Sequence, residues 1–114
     1  MRNQRLSQDA VVPVGNTTIL TTNGATTLAV PVGASGIMME GLWSSTSYVK
    51  ADDAVYWSVS AAMTGVDQGF SLSNVREPFI LWFDPVAVPY IYMWLVNNAT
   101  CVYLFLAKAG GKMH

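Results

Sequence analysis

The two runs that close this chain, Tyr90-Ile-Tyr-Met-Trp-Leu-Val96 and Cys101-Val-Tyr-Leu-Phe-Leu-Ala107, contain no charged or amide side chain. Each is as long as a β-strand, and successive side chains on a strand point to opposite faces. Closed as a hairpin over Asn97-Asn98-Ala99-Thr100, the pair puts Ile91, Met93, Leu95, Val102, Leu104 and Leu106 on one side. Tyr90, Tyr92, Trp94, Tyr103 and Phe105 fall on the other. A surface hairpin ordinarily shows one apolar and one polar face, whereas here an aliphatic face backs onto an aromatic one. A chain of 114 residues builds one core, which covers one of them. The second face is expected to meet another part of the fold or another subunit. The expected register sets Val96 against Cys101, Trp94 against Tyr103, Met93 against Leu104 and Tyr92 against Phe105, because a slip of one residue would mix the faces.

Upstream, short β-type runs alternate with turn signals. The first nine residues are polar, and residues 10 to 14 are apolar but contain Pro13, which a central strand would not accept; residues 1–16 therefore read as an N-terminal arm. Asn23-Gly24 between Thr17–Thr22 and Ala25–Val30 is the signature of a type I′ hairpin. After a break at Pro31–Gly36, strands are expected at Ile37–Trp43, at an edge position Tyr48–Lys50, and at Ala54–Ala62, where Val55, Trp57, Val59 and Ala61 share a face. A short strand at Phe70–Ser73 and a stronger one at Phe79–Phe83 precede Asp84-Pro85 and Pro89, which separate them from the closing runs. About seven to nine short strands without a helical period imply an all-β domain, a compact antiparallel β-sandwich or jelly-roll-like barrel over residues 17–108. Residues 109–114 read as a flexible C-terminal tail.

Composition narrows function more than it assigns it. Hydrophobic residues make up 52% and charged ones 11%, against about 25% charged in an average soluble domain, so much of the surface is expected to be neutral or hidden in contacts. Six basic and seven acidic residues leave a net charge of −1, too little field to hold nucleic acid or an anionic membrane, and a charge near zero favours association. The start of the chain has no apolar stretch of the secretory type. The apolar region from Phe79 is broken by Asp84, Pro85, Pro89, Asn97 and Asn98, short of the ~20 residues of a membrane helix. Cys101 is the single cysteine, so no internal disulfide is available. Asn16-Thr-Thr and Asn98-Ala-Thr fit the glycosylation pattern, but read as turn residues.

Chemistry-bearing residues are sparse. The one histidine, His114, ends a Gly-Gly tether and lacks the preorganised geometry that a general base needs. Cys101 has no basic neighbour to lower its pKa and reads as a buried small residue. Asp52-Asp53 caps a loop more readily than it forms a catalytic pair. Asp52, Asp53, Asp67 and Asp84 have no EF-hand order, and a zinc set needs more Cys and His. No catalytic residue, cofactor or metal is expected. Trp43, Trp57, Trp82, Trp94 and the tyrosines suit a core, a subunit contact or a sugar platform.

The segment Thr26-Thr-Leu-Ala-Val-Pro-Val-Gly-Ala34, the apolar and Trp-bearing strands that follow, and the closing Ala99-Thr-Cys-Val-Tyr-Leu-Phe-Leu106 resemble the layout of small β-sandwich accessory proteins of tailed-bacteriophage virions. The likeness spans roughly residues 17 to 107. It implies a non-enzymatic capsid-decoration, head-fibre or tail-associated protein, assembled in the host cytoplasm and carried in the virion beside other virion proteins. The apolar surface itself predicts a homo-oligomer, a trimer or higher, with Tyr90, Tyr92, Trp94, Tyr103, Phe105 and Trp82 at the subunit contact. Arg2 and Arg5 on the arm are expected to touch the particle. The rival expectation is a carbohydrate-binding module that uses Trp43, Trp57 or Tyr48 near residues 44–53.

Overall fold

The computed structural model describes residues 10–42, 55–60, 69–72, 79–96 and 99–108. Eight strands follow in chain order: β1 (Val11–Leu20), β2 (Gly24–Ala29), β3 (Gly36–Leu42), β4 (Val55–Ser58), β5 (Phe70–Ser71), β6 (Phe79–Trp82), β7 (Tyr90–Leu95) and β8 (Thr100–Lys108). They form two four-stranded sheets, β1-β8-β3-β6 and β2-β7-β4-β5, with every ladder antiparallel. The expected all-β sandwich is thus the architecture, and its strand order is that of a jelly roll, the double-sheet solution to sheet closure.

This order overturns the closing hairpin. Tyr90–Leu95 pairs with β2 and β4 in one sheet, and Thr100–Lys108 pairs with β1 and β3 in the other. Trp94 faces Ala25 and Tyr56 rather than Tyr103. The chain crosses between layers after Val96, where a turn closes by donation from the Ala99 N–H to the Val96 carbonyl at 2.9 Å. A hairpin would turn the buried faces of both strands the same way, whereas two strands in opposed sheets turn them toward each other across a shared interior. Ile91, Met93 and Leu95 enter it from β7, and Cys101 and Phe105 enter it from β8. Leu28, Ile37, Met39 and Val55 complete its centre. Each fully buried aliphatic side chain of this kind contributes about 1.5–3 kcal/mol.

The Asn23-Gly24 hairpin gives way for the same reason. Gly24 has the positive φ expected of it, 84°, but it opens β2 in the second sheet. Leu20 pairs with Cys101 and Ala25 with Trp94, so both flanking strands take distant partners in preference to each other. Two other turn signals act as read. The Ala34 N–H donates to the Pro31 carbonyl at 3.1 Å, with Gly33 at φ 94°, and this Pro-Val-Gly turn carries the chain from β2 to β3. The Asp84 carbonyl accepts from Ala87 and Val88, and its Oδ1 accepts from the Val86 N–H at 3.0 Å, turning the chain from β6 to β7.

Pro13 sits inside β1, within the span expected as an arm. It is tolerated because β1 is the outer strand of its sheet, where no second neighbour needs the missing N–H. Between the pairs Val14–Phe105 and Thr18–Tyr103 the register of β1 shifts, with Gly15 at φ 87°. Three residues of β1 there span one of β8, an even excess of two. Side-chain parity survives the irregularity, and Val14 and Leu20 on either side of it both pack against the core. The Tyr48–Lys50 edge strand falls outside the described residues.

At Gly41 the two layers approach closely. A Cβ placed there would lie 3.0 Å from Val55 Cγ2 and 3.1 Å from Val55 Cβ, and Val55 is fully buried. Gly41→Val should therefore destabilise the fold by about 1–3 kcal/mol through overpacking, read as a lower urea midpoint; an unchanged midpoint would contradict the packing. Amide contacts in NMR spectra should link Tyr92 to Thr27 and Ser58 and not to Phe105.

Candidate interaction surfaces

With one face of each strand in the core, the outward residues define two candidate surfaces. On the β2-β7-β4-β5 sheet the outer face carries Tyr90, Tyr92 and Trp94 from β7. Beside them lie Thr27 and Ala25 of β2 and Ser58 and Tyr56 of β4. The Tyr90 and Tyr92 rings stand 6.3 Å apart at 42°, Tyr90 is exposed, and Tyr92 and Trp94 are half-buried. Tyr56 and Ser58 are buried despite their outward direction.

The second surface is the outer face of β1-β8-β3-β6, and of the expected contact residues only Trp82 lies on it. Cross-strand pairing arranges it in rows. Ile19, Val102 and Glu40 form one, Leu104, Met38 and Ile80 the next, and Pro13, Leu106, Gly36 and Trp82 a third. Val11 and Lys108 begin a fourth. Ile19 and Ile80 are 53% and 42% exposed, Val102, Leu104, Met38 and Trp82 are half-buried, and Leu106 and Gly36 are buried. Antiparallel sheets usually turn polar residues outward, and this one turns aliphatic residues outward on all four strands. The Trp82 ring lies across Gly36, where an added Cβ would clash with it. The Lys108 Nζ stands 4.8 Å from the centre of the same ring, a cation–π contact that holds the amine at the rim of the apolar face.

The six aromatic residues expected at one contact therefore divide among three places. Tyr90, Tyr92 and Trp94 share one outer face, and Trp82 lies on the opposite one. Tyr103 packs against the core and Phe105 belongs to it, their rings meeting edge-on at 5.8 Å and 82°. The five-ring face does not form, because that face depended on β7 and β8 being ladder neighbours. Arg2 and Arg5, and Trp43 and Tyr48 of the rival sugar site, lie outside the described residues. Trp57 is half-buried at the β5–β6 side of the sandwich, 5.0 Å from Phe70 and stacked at 5.6 Å on Phe79. Those contacts tie the two sheets together and occupy the ring.

Among the described residues no three His, Cys, Asp or Glu side chains come together as a metal set, and no helix is long and apolar enough to cross a membrane. Cys101 is fully buried. Burial pushes its thiol from the ordinary 9.0 up to about 12, against a smaller lowering by a backbone hydrogen bond at Glu40. A neutral thiol of this kind is a core side chain. No family model, curated protein or solved structure matches the chain.

The thiol gives a signed pH dependence. Because the folded pKa is raised, its share of stability is whole below about pH 9 and is lost as pH climbs toward about 12, where only the unfolded thiol ionises. The stability difference between the wild type and Cys101→Ala should shrink over that window, followed by urea titration at several pH values. A thiol reagent at about pH 8 should label the native protein only as fast as it unfolds; immediate stoichiometric labelling would refute the burial.

Proposed function

We propose that this protein is a non-enzymatic structural component of a tailed-bacteriophage virion, a capsid-decoration or accessory head or tail protein. It acts through contacts with copies of itself and with other virion proteins. The observation that carries this reading is the four-stranded outer face whose Leu104–Met38–Ile80 and Pro13–Leu106–Gly36–Trp82 rows hold no charged residue, in a chain of 11% charged residues. The largest contiguous apolar patch on a protein surface is often its contact surface. Jelly-roll sandwiches recur in viral shells and also in lectins, and that support is analogy at the level of fold. The resemblance of residues 17 to 107 to phage accessory proteins favours the first of these uses. Such a protein is made in the host cytoplasm and travels in the particle.

A carbohydrate-binding module is the second reading, and the adjacent Tyr90 and Tyr92 rings on an open sheet face favour it. Flat rings spaced along one strand suit stacking on sugars. The two readings separate by experiment. Gold-labelled antibody against the protein should decorate purified particles at regular positions in electron micrographs, and label confined to the unassembled fraction of the lysate would overturn the virion role. Glycan-array binding that disappears in Tyr92→Ala would support the sugar reading.

A further inference from the structure

We infer that the outer face of the β1-β8-β3-β6 sheet is a two-fold contact between copies of this chain. The occupant is argued from charge placement and area. Glu40 stands in the row of Val102, and Lys108 lies six residues further along β8 at the opposite end of the face, about 20 Å away at the rise of a β-strand. Between them every outward position on β8 and β3 is apolar or glycine: Leu104 and Met38 are half-buried, and Leu106 and Gly36 are already buried within the chain.

A two-fold axis lying in the interface, perpendicular to the strands and midway between the Leu104 and Leu106 rows, reverses this order in the second copy. It lays the Leu104 row on the row containing the partner's Leu106. It also brings Glu40 over the partner's Lys108, displaced sideways by one strand spacing of ~4.8 Å across a ~10 Å gap between sheets. Two long side chains span that offset, and the symmetry makes the pair twice. A face with one charge at each end and apolar residues between is complementary to itself only under such an axis.

Area sets the strength. Four strands at ~4.8 Å and ~20 Å along β8 give a footprint of roughly 400 Å² per copy. The contact therefore buries about 800 Å² in total, below the size of stable specific interfaces and in the range of weak, transient ones. The dimer in solution is correspondingly weak, with a Kd on the order of micromolar or above, and gains strength where copies are held together in an array. This contact is one of the self-contacts on which the proposed role in assembly rests. Sedimentation of the isolated protein tests the contact, and particle labelling tests the role, so either can fail alone.

Sedimentation velocity from micromolar to submillimolar concentration should show a reversible monomer–dimer equilibrium. Leu104→Glu should leave only monomer with an unchanged circular dichroism spectrum. Tyr92→Glu, on the other sheet, should leave the dimer intact. Glu40→Lys and Lys108→Glu should each weaken self-association roughly fivefold or more by setting like charges opposite one another. An equimolar mixture of those two variants should recover wild-type association, because each then meets its opposite charge in both contacts. This recovery is read between soluble proteins and does not depend on how Leu104→Glu folds. A wild type that remains monomeric throughout, association lost in Tyr92→Glu but kept in Leu104→Glu, or a mixture no tighter than its components would each overturn the two-fold contact.

Discussion

A two-layer sandwich gives each strand one covered face, and the rest of this structure follows from how the chain meets that constraint. Strands β7 and β8 are apolar on both faces, and each has one face in the interior. Placing them in opposite layers commits Ile91, Met93 and Leu95 to the interior from one side and Cys101, Tyr103 and Phe105 from the other. The remaining strands are then assigned. β8 lies between β1 and β3, β7 lies between β2 and β4, and the chain changes layer at nearly every connection. Most ladders therefore join segments far apart in sequence, a topology that folds slowly because long loops close before the contacts that reward them form.

The same arrangement explains features that look like local faults. Pro13 and the irregularity around Gly15 lie on β1, a border strand, where a missing N–H and an interrupted ladder leave no second neighbour unsatisfied and discourage pairing with a foreign strand. The irregularity adds an even number of residues, so Val14 and Leu20 keep facing inward. Gly41 has no side chain because Val55 already occupies the space across the gap. Gly36 lies beneath the Trp82 ring on the outside. Two glycines on one strand thus serve opposite faces of the same sheet.

Packing also decides what remains for contacts outside the chain. The interior accepts the inward row of every strand but cannot accept the outward aliphatic residues of β8, β3 and β6. With few charges available, those positions stay apolar, and Glu40 and Lys108 mark the ends of the face. The aromatic row of β7 points away from it on the other sheet. The protein therefore presents two chemically different exteriors, one aliphatic and one aromatic.

Alternation along single strands was legible from the residues alone. Ile91, Met93 and Leu95 share a face, as do Val55, Trp57 and Val59, and the turns at Pro31–Ala34 and Asp84–Ala87 use the residues their geometry requires. The all-β class, the absence of a helical period and the burial of Cys101 follow from the same local information. Which strands are neighbours did not follow, because a period of two fixes the faces of a strand relative to each other and carries nothing about the phase of the next one. The aromatic face drawn from Tyr90 to Phe105 assumed a shared sheet, and the layer change after Val96 divided it. The outer row of Leu104, Met38 and Ile80 joins residues from three distant segments, so no local pattern could reveal it. The chain determined by itself which residues must be hidden; the tertiary structure decided where, since burial is a property of the assembled layers and not of any strand alone.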